Sequence, residues 1–121
     1  GRTYLDGNQL IGAMDGVVRG RIRMALNGHV MASVIVDEDE GAVPDAIVEI
    51  MGLAEFGRSR AGLAEMMEDE IADFLETVPD KIVANDDKLE DALRRIIRQI
   101  AMEELGKKPE VTVVISRLMA D

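Results

Sequence analysis

Gly28-His29-Val30-Met31-Ala32-Ser33-Val34-Ile35-Val36-Asp37 is the stretch whose reading decides the fold. β-Branched and apolar residues run between a glycine and an acidic turn, which predicts a strand with clear stops. Alternate positions point to opposite faces of a strand. One set (Val30, Ala32, Val34, Val36) is uniformly apolar; the other (His29, Met31, Ser33, Ile35, Asp37) is mixed. Such a strand packs its uniform face under helices and turns the mixed face to solvent or a partner. Met31, Ser33 and Ile35 are therefore the candidate protein–protein face.

Downstream, Asp37-Glu38-Asp39-Glu40-Gly41 lacks the twelve-residue ligand spacing of a calcium loop and reads as a solvated hairpin turn. Ala46–Met51 follows as a second strand, antiparallel to the first because the connection is short. Ser59 is a candidate N-cap for a helix reaching Val78 and stopped by Pro79. Leu63, Met67, Ile71, Phe74, Leu75 and Val78 make its apolar stripe. The opposite side carries Glu65, Glu68, Asp69, Glu70, Asp73 and Glu76, a solvated face with no histidine beside it. A second long helix starts at Asn85-Asp86-Asp87, where acids suit the helix dipole, and ends at Gly106. Its stripe is Leu89, Leu93, Ile96, Ile97, Ile100, Ala101 and Leu105. Arg94, Arg95 and Arg98 lie off that stripe, some expected to answer the acids of the neighbouring helix. Val111–Leu118 is a third strand, expected beside the first.

Upstream, residues 1–13 read as an extended linker or the end of a preceding domain, leaving 14–121 as the domain proper. Asp15 can cap a helix to about Asn27 that carries Arg19, Arg21 and Arg23. These three are the candidate RNA or partner contact; a solvated helix face is the plainer alternative, since no aromatic lies nearby for base stacking. The fold expected is α+β, a two-layer sandwich. A three-stranded mixed sheet carries two long helices on one face, preceded by the short arginine helix and the linker.

Composition narrows the function. At 121 residues the chain holds one domain. Aromatics are only 2%, so Ile, Leu, Val, Ala and eight Met must build the core. No cysteine is present, which excludes disulfides and thiolate metal sites and fits a reducing, cytoplasmic setting. No run approaches the ~18 apolar residues of a membrane span. A net charge of −10 opposes long-range attraction to a phosphate backbone. His29 is the sole histidine, and no zinc, P-loop, dinucleotide or nucleophile-elbow motif occurs. Catalytic and metal residues are thus expected to be absent, and the chain alone is not expected to be an enzyme or to hold a cofactor.

Several segments resemble the C-terminal domain of bacterial ribonuclease J. They are Gly1-Arg2-Thr3-Tyr4-Leu5-Asp6-Gly7 with Ile11-Gly12, the arginine helix with Val18 and Ile22, Asn27-Gly28-His29-Val30, Pro44-Asp45-Ala46-Ile47, and Gly106-Lys107-Lys108-Pro109 before Val111. The chain departs from many relatives at Met51-Gly52-Leu53, where they have arginine-glycine-phenylalanine. The resemblance implies a longer parent with metallo-β-lactamase and β-CASP domains and a two-zinc site. It also implies 5′-to-3′ exoribonuclease and some endoribonuclease activity on mRNA and rRNA precursors. This chain would be its accessory domain, engaged in homo-oligomer assembly and contact with its own catalytic core. Two alternatives stand beside that reading. One is a direct RNA-binding module using Arg19, Arg21, Arg23 and also Arg94, Arg95 and Arg98. The other is a free-standing regulatory domain.

Overall fold

A computed structural model describes residues 27–119; the expected linker over 1–13, the boundary after it and the arginine helix lie outside the described residues. Six elements follow in order: β1 (His29–Asp37), β2 (Gly41–Met51), α1 (Leu63–Thr77), α2 (Asp80–Val83), α3 (Asp86–Leu105) and β3 (Glu110–Leu118). The sheet order is β2-β1-β3, with β1 antiparallel to β2 and parallel to β3. It is the mixed three-stranded α+β sheet that the sequence predicts.

β1 is central, and its alternation sets the layers. Val30, Ala32, Val34 and Val36 are at most 2% exposed. Against them lie rows of residues four apart: Leu63, Met67, Ile71 and Leu75 from α1, and Leu89, Leu93, Ile97 and Ala101 from α3. Such rows form the ridges by which helices pack. Small β-branched side chains on the sheet leave room for the longer ones above, which is how a core reaches crystal-like density.

β2 starts five residues earlier than the expected Ala46. The register shifts between Val34 and Val36, so that residues 43–45 stand opposite Ile35. Pro44 sits in that irregularity. Proline has no N–H to give a ladder, so edge strands and bulges are where a sheet tolerates it. The acidic connection is the turn expected: Asp37 Oδ1 accepts from the backbone N–H of Asp39 at 2.8 Å and of Glu40 at 3.2 Å.

The first long helix differs from expectation at its start. Ser59 is not the N-cap; Gly62 is, without a side-chain bond. The Ser59 hydroxyl and backbone N–H instead both donate to Glu104 Oε1, at 2.6 and 2.9 Å. A bond to a charged acceptor outweighs a neutral cap, so the serine serves the loop rather than the helix. Arg58 N–H bonds the Glu104 carbonyl, and a Cβ on Gly57 would sit 2.7 Å from that oxygen. Only glycine lets the loop dock so closely on the end of α3.

α2 was not expected; four residues are too few to show a period. α3 begins as predicted, with Asn85 Oδ1 accepting from the Lys88 N–H at 3.1 Å. Gly106 closes it in the left-handed region at φ 65. Arg94 pairs with Asp91 of its own helix at 3.3 Å, and Arg98 donates to the Pro109 carbonyl. The expected pairing with acids of the neighbouring long helix is therefore not what forms. Intrahelical and C-terminal acceptors are nearer, and long exposed side chains settle on local partners.

Two stability outcomes follow from this packing. Leu93→Ala should lower unfolding free energy by about 2–5 kcal/mol, and Asn85→Ala by about 1 kcal/mol, in urea titrations followed by circular dichroism. The Ser59 hydroxyl, then its N–H, hold the Glu104 carboxyl below its ordinary 4.5. A depressed carboxyl gives stability that is present above 4.5 and lost as pH falls through the lower folded value. In a carbon-detected NMR titration, Ser59→Ala should move Glu104 back towards 4.5.

Candidate functional site

Among the described residues, no element packs on the face of the sheet away from the helices. β1 contributes His29, Met31, Ser33 and Ile35 to it, and strand pairing fixes their neighbours. Ser33 lies between Ile47 of β2 and Val114 of β3, and Met31 lies between Glu49 and Thr112. Met31 and Ser33 are half-buried and Ile35 is exposed. The apolar neighbours protrude further: Ile47 is 62% exposed and Leu118 53%, with Met51 and Val114 also exposed. A small serine flanked by two protruding aliphatic side chains makes a shallow trough beside it. There a cavity of about 220 Å³ is lined by Ser33, Ile35, Ile47 and Ser116 among others. At the other end of β1, away from this cavity, the His29 ring nitrogen Nε2 and the Thr112 hydroxyl are 2.8 Å apart. The candidate residues Met31, Ser33 and Ile35 thus share one surface. Ile47, Val114 and Leu118, not singled out from the sequence, belong to it equally. Applying the two-residue alternation to β2 and β3 as well as β1 would have found them.

Charge is sorted by element elsewhere. α1 exposes Glu65, Asp69, Glu70, Asp73 and Glu76, while Glu68 turns inward and accepts from the Val48 N–H of edge strand β2 at 2.9 Å. Arg94, Arg95 and Arg98 lie on one side of α3. Arg19, Arg21 and Arg23 lie outside the described residues. At the mouth of the β1–β2 turn, Arg117 reaches across from β3. Its guanidinium donates to Asp86 Oδ1 at 2.6 and 2.9 Å, to the Val83 carbonyl at 2.6 Å and to Glu38 at 3.4 Å. The Asp86 bond leads in holding this arginine charged beyond its ordinary range. The acidic turn is therefore partly neutralised by a cation of its own chain. Among the described residues no group of three or more His, Asp or Glu is placed to hold a metal ion. No described helix is long and apolar enough to cross a membrane.

Comparison with known proteins then gives the relationship. The family model of the ribonuclease J C-terminal domain matches residues 16–118. Ribonuclease J of Sinorhizobium meliloti is 32% identical over 119 residues, which covers 98% of this chain and 21% of the relative. The chain thus spans well under two thirds of that relative's length.

The Arg117 clasp joins three elements and is testable. Arg117→Ala should cost about 1.5–3 kcal/mol in urea unfolding, the range for bonds to charged groups. Arg117→Lys should recover only part, because an ammonium lacks the planar fork that meets Asp86 and Val83 together.

Proposed function

The chain belongs to the ribonuclease J C-terminal domain family, and from that premise we propose that it is the accessory domain of a ribonuclease J-like enzyme, acting by protein–protein contact. The parent would be a zinc-dependent 5′-to-3′ exo- and endoribonuclease of cytoplasmic RNA processing and decay. Its zinc ligands and catalytic groups would lie in the parent's other domains, and no chemical step is assigned to a residue here. The role of this chain would be oligomer assembly and support of the catalytic core.

The open face of the sheet is the observation that carries the reading. Ile47, Val114, Ile35 and Leu118 present aliphatic surface on three adjacent strands. A contiguous apolar patch of this kind marks an interaction site rather than ordinary surface. Rigid strands hold it flat, so docking would order few side chains and keep the entropic penalty low. A second copy of the domain offers the same flat apolar surface, which suits the self-complementary contact of a twofold dimer.

Sedimentation equilibrium checks this. The wild-type chain should gain mass with concentration, whereas Ile47→Asp/Val114→Asp should remain monomeric with an unchanged circular dichroism spectrum. A wild-type chain that stays monomeric at millimolar concentration would overturn the assembly role.

A further inference from the structure

The outer side of α3 carries a second surface that this contact does not use. Arg94, Arg95, Arg98, Met102 and Lys108 line a groove of about 550 Å³, together with Asp91 and Gln99. Asp91 is the one carboxylate in this lining; Glu103 and Glu104 lie outside it and bond neutral donors. Asp91 holds Arg94 at 3.3 Å, Glu103 accepts from Gln99 at 3.1 Å, and Glu104 takes Ser59. Among the described residues Arg95, Arg98 and Lys108 have no carboxylate within 4.0 Å. A positive groove thus stands on a domain whose net charge is −10.

We propose that this groove binds the phosphate backbone of single-stranded RNA. Arginines three and four positions apart on a helix stand about 5–6 Å from one another at Cβ, so they offer a row of contacts rather than a point. Guanidinium forks meet phosphate oxygens in pairs, which an isolated ammonium does not do. Met102, 51% exposed, gives a soft apolar surface against which a base can lie. The acidic remainder of the domain does not forbid this. At physiological salt the screening length is about 8 Å, so once RNA is seated the groove's own charge dominates. The distant acids slow its arrival. Such a site is weak alone and acts as a second foothold for RNA held elsewhere in the parent, where linkage raises its effective concentration. The inference rests on family membership for RNA as the polyanion, and not on the open sheet face.

Fluorescence anisotropy of a labelled single-stranded oligouridylate, titrated with the chain over a range of salt, tests it. The surface change Arg95→Ala/Lys108→Ala should reduce the slope of log K against log salt by about 1.4, at 0.7 per phosphate contact on a single strand. The same reduction should appear in an Arg19→Ala/Arg21→Ala/Arg23→Ala background, which separates the groove from that cluster. Ile47→Asp/Val114→Asp should leave the slope as in wild type, so the two surfaces fail or stand separately. Absence of binding at low salt, or an unchanged slope in the double variant, would overturn the proposal. So would a double variant that loses only sedimenting mass, since the groove would then be seating the acidic α1 of a second copy.

Discussion

Everything in this domain depends on removing water from one face of β1. Among the described residues, Val30, Ala32, Val34 and Val36 sit on the one strand paired on both sides, in a single core with both long helices. Full burial of an aliphatic side chain is worth roughly 1.5–3 kcal/mol, so four in a row on one face are a large share of a marginal total. The opposite face of the same strand could not be treated alike. Two helices are enough to cover one side of a three-stranded sheet, and among the described residues the other side keeps Ile35, Ile47, Val114 and Leu118 exposed.

The polar contacts add location rather than bulk stability. Glu68 satisfies an outward N–H of edge strand β2, Glu104 pins the loop before α1, and Arg117 closes the turn between β1 and β2 onto the start of α3. Each joins residues far apart in sequence, and each uses a charged group at a place where a neutral one would hold less well. Glu68 has a further effect. An uncovered sheet edge invites pairing with other chains, and a carboxylate laid over it, with Pro44 nearby, discourages that on the β2 side.

Most of the fold was legible because it is written in local periods. The alternation in β1, the four-residue rows at Leu63–Leu75 and Leu89–Ala101, the Asn85 cap and the Gly106 stop each need only a few neighbouring residues to be read. What escaped reading depends on partners far along the chain. Ser59 resembles a cap until Glu104, 45 residues away, is seen to take its hydroxyl. The register that lets β2 absorb Pro44 exists only against β1. On the surface, Met31, Ser33 and Ile35 were legible from one strand's alternation, but Ile47 and Val114 become their neighbours only through pairing. Lys108 joins the arginines of α3 only because Gly106 turns the chain back beside them.

The parallel pairing of β1 with β3 has a consequence for biosynthesis. His29 meets Thr112 across 83 positions of sequence. On a ribosome, β1 and β2 form their hairpin early, but the second edge of the central strand waits until α1, α2 and α3 have emerged. During that interval a strand rich in valine shows unpaired backbone groups to the crowd around it. Sequence-distant pairings form late and leave such intermediates open to misassembly. Truncated products that lack β3 would carry that exposed edge permanently, so the integrity of this domain depends on β3 being made.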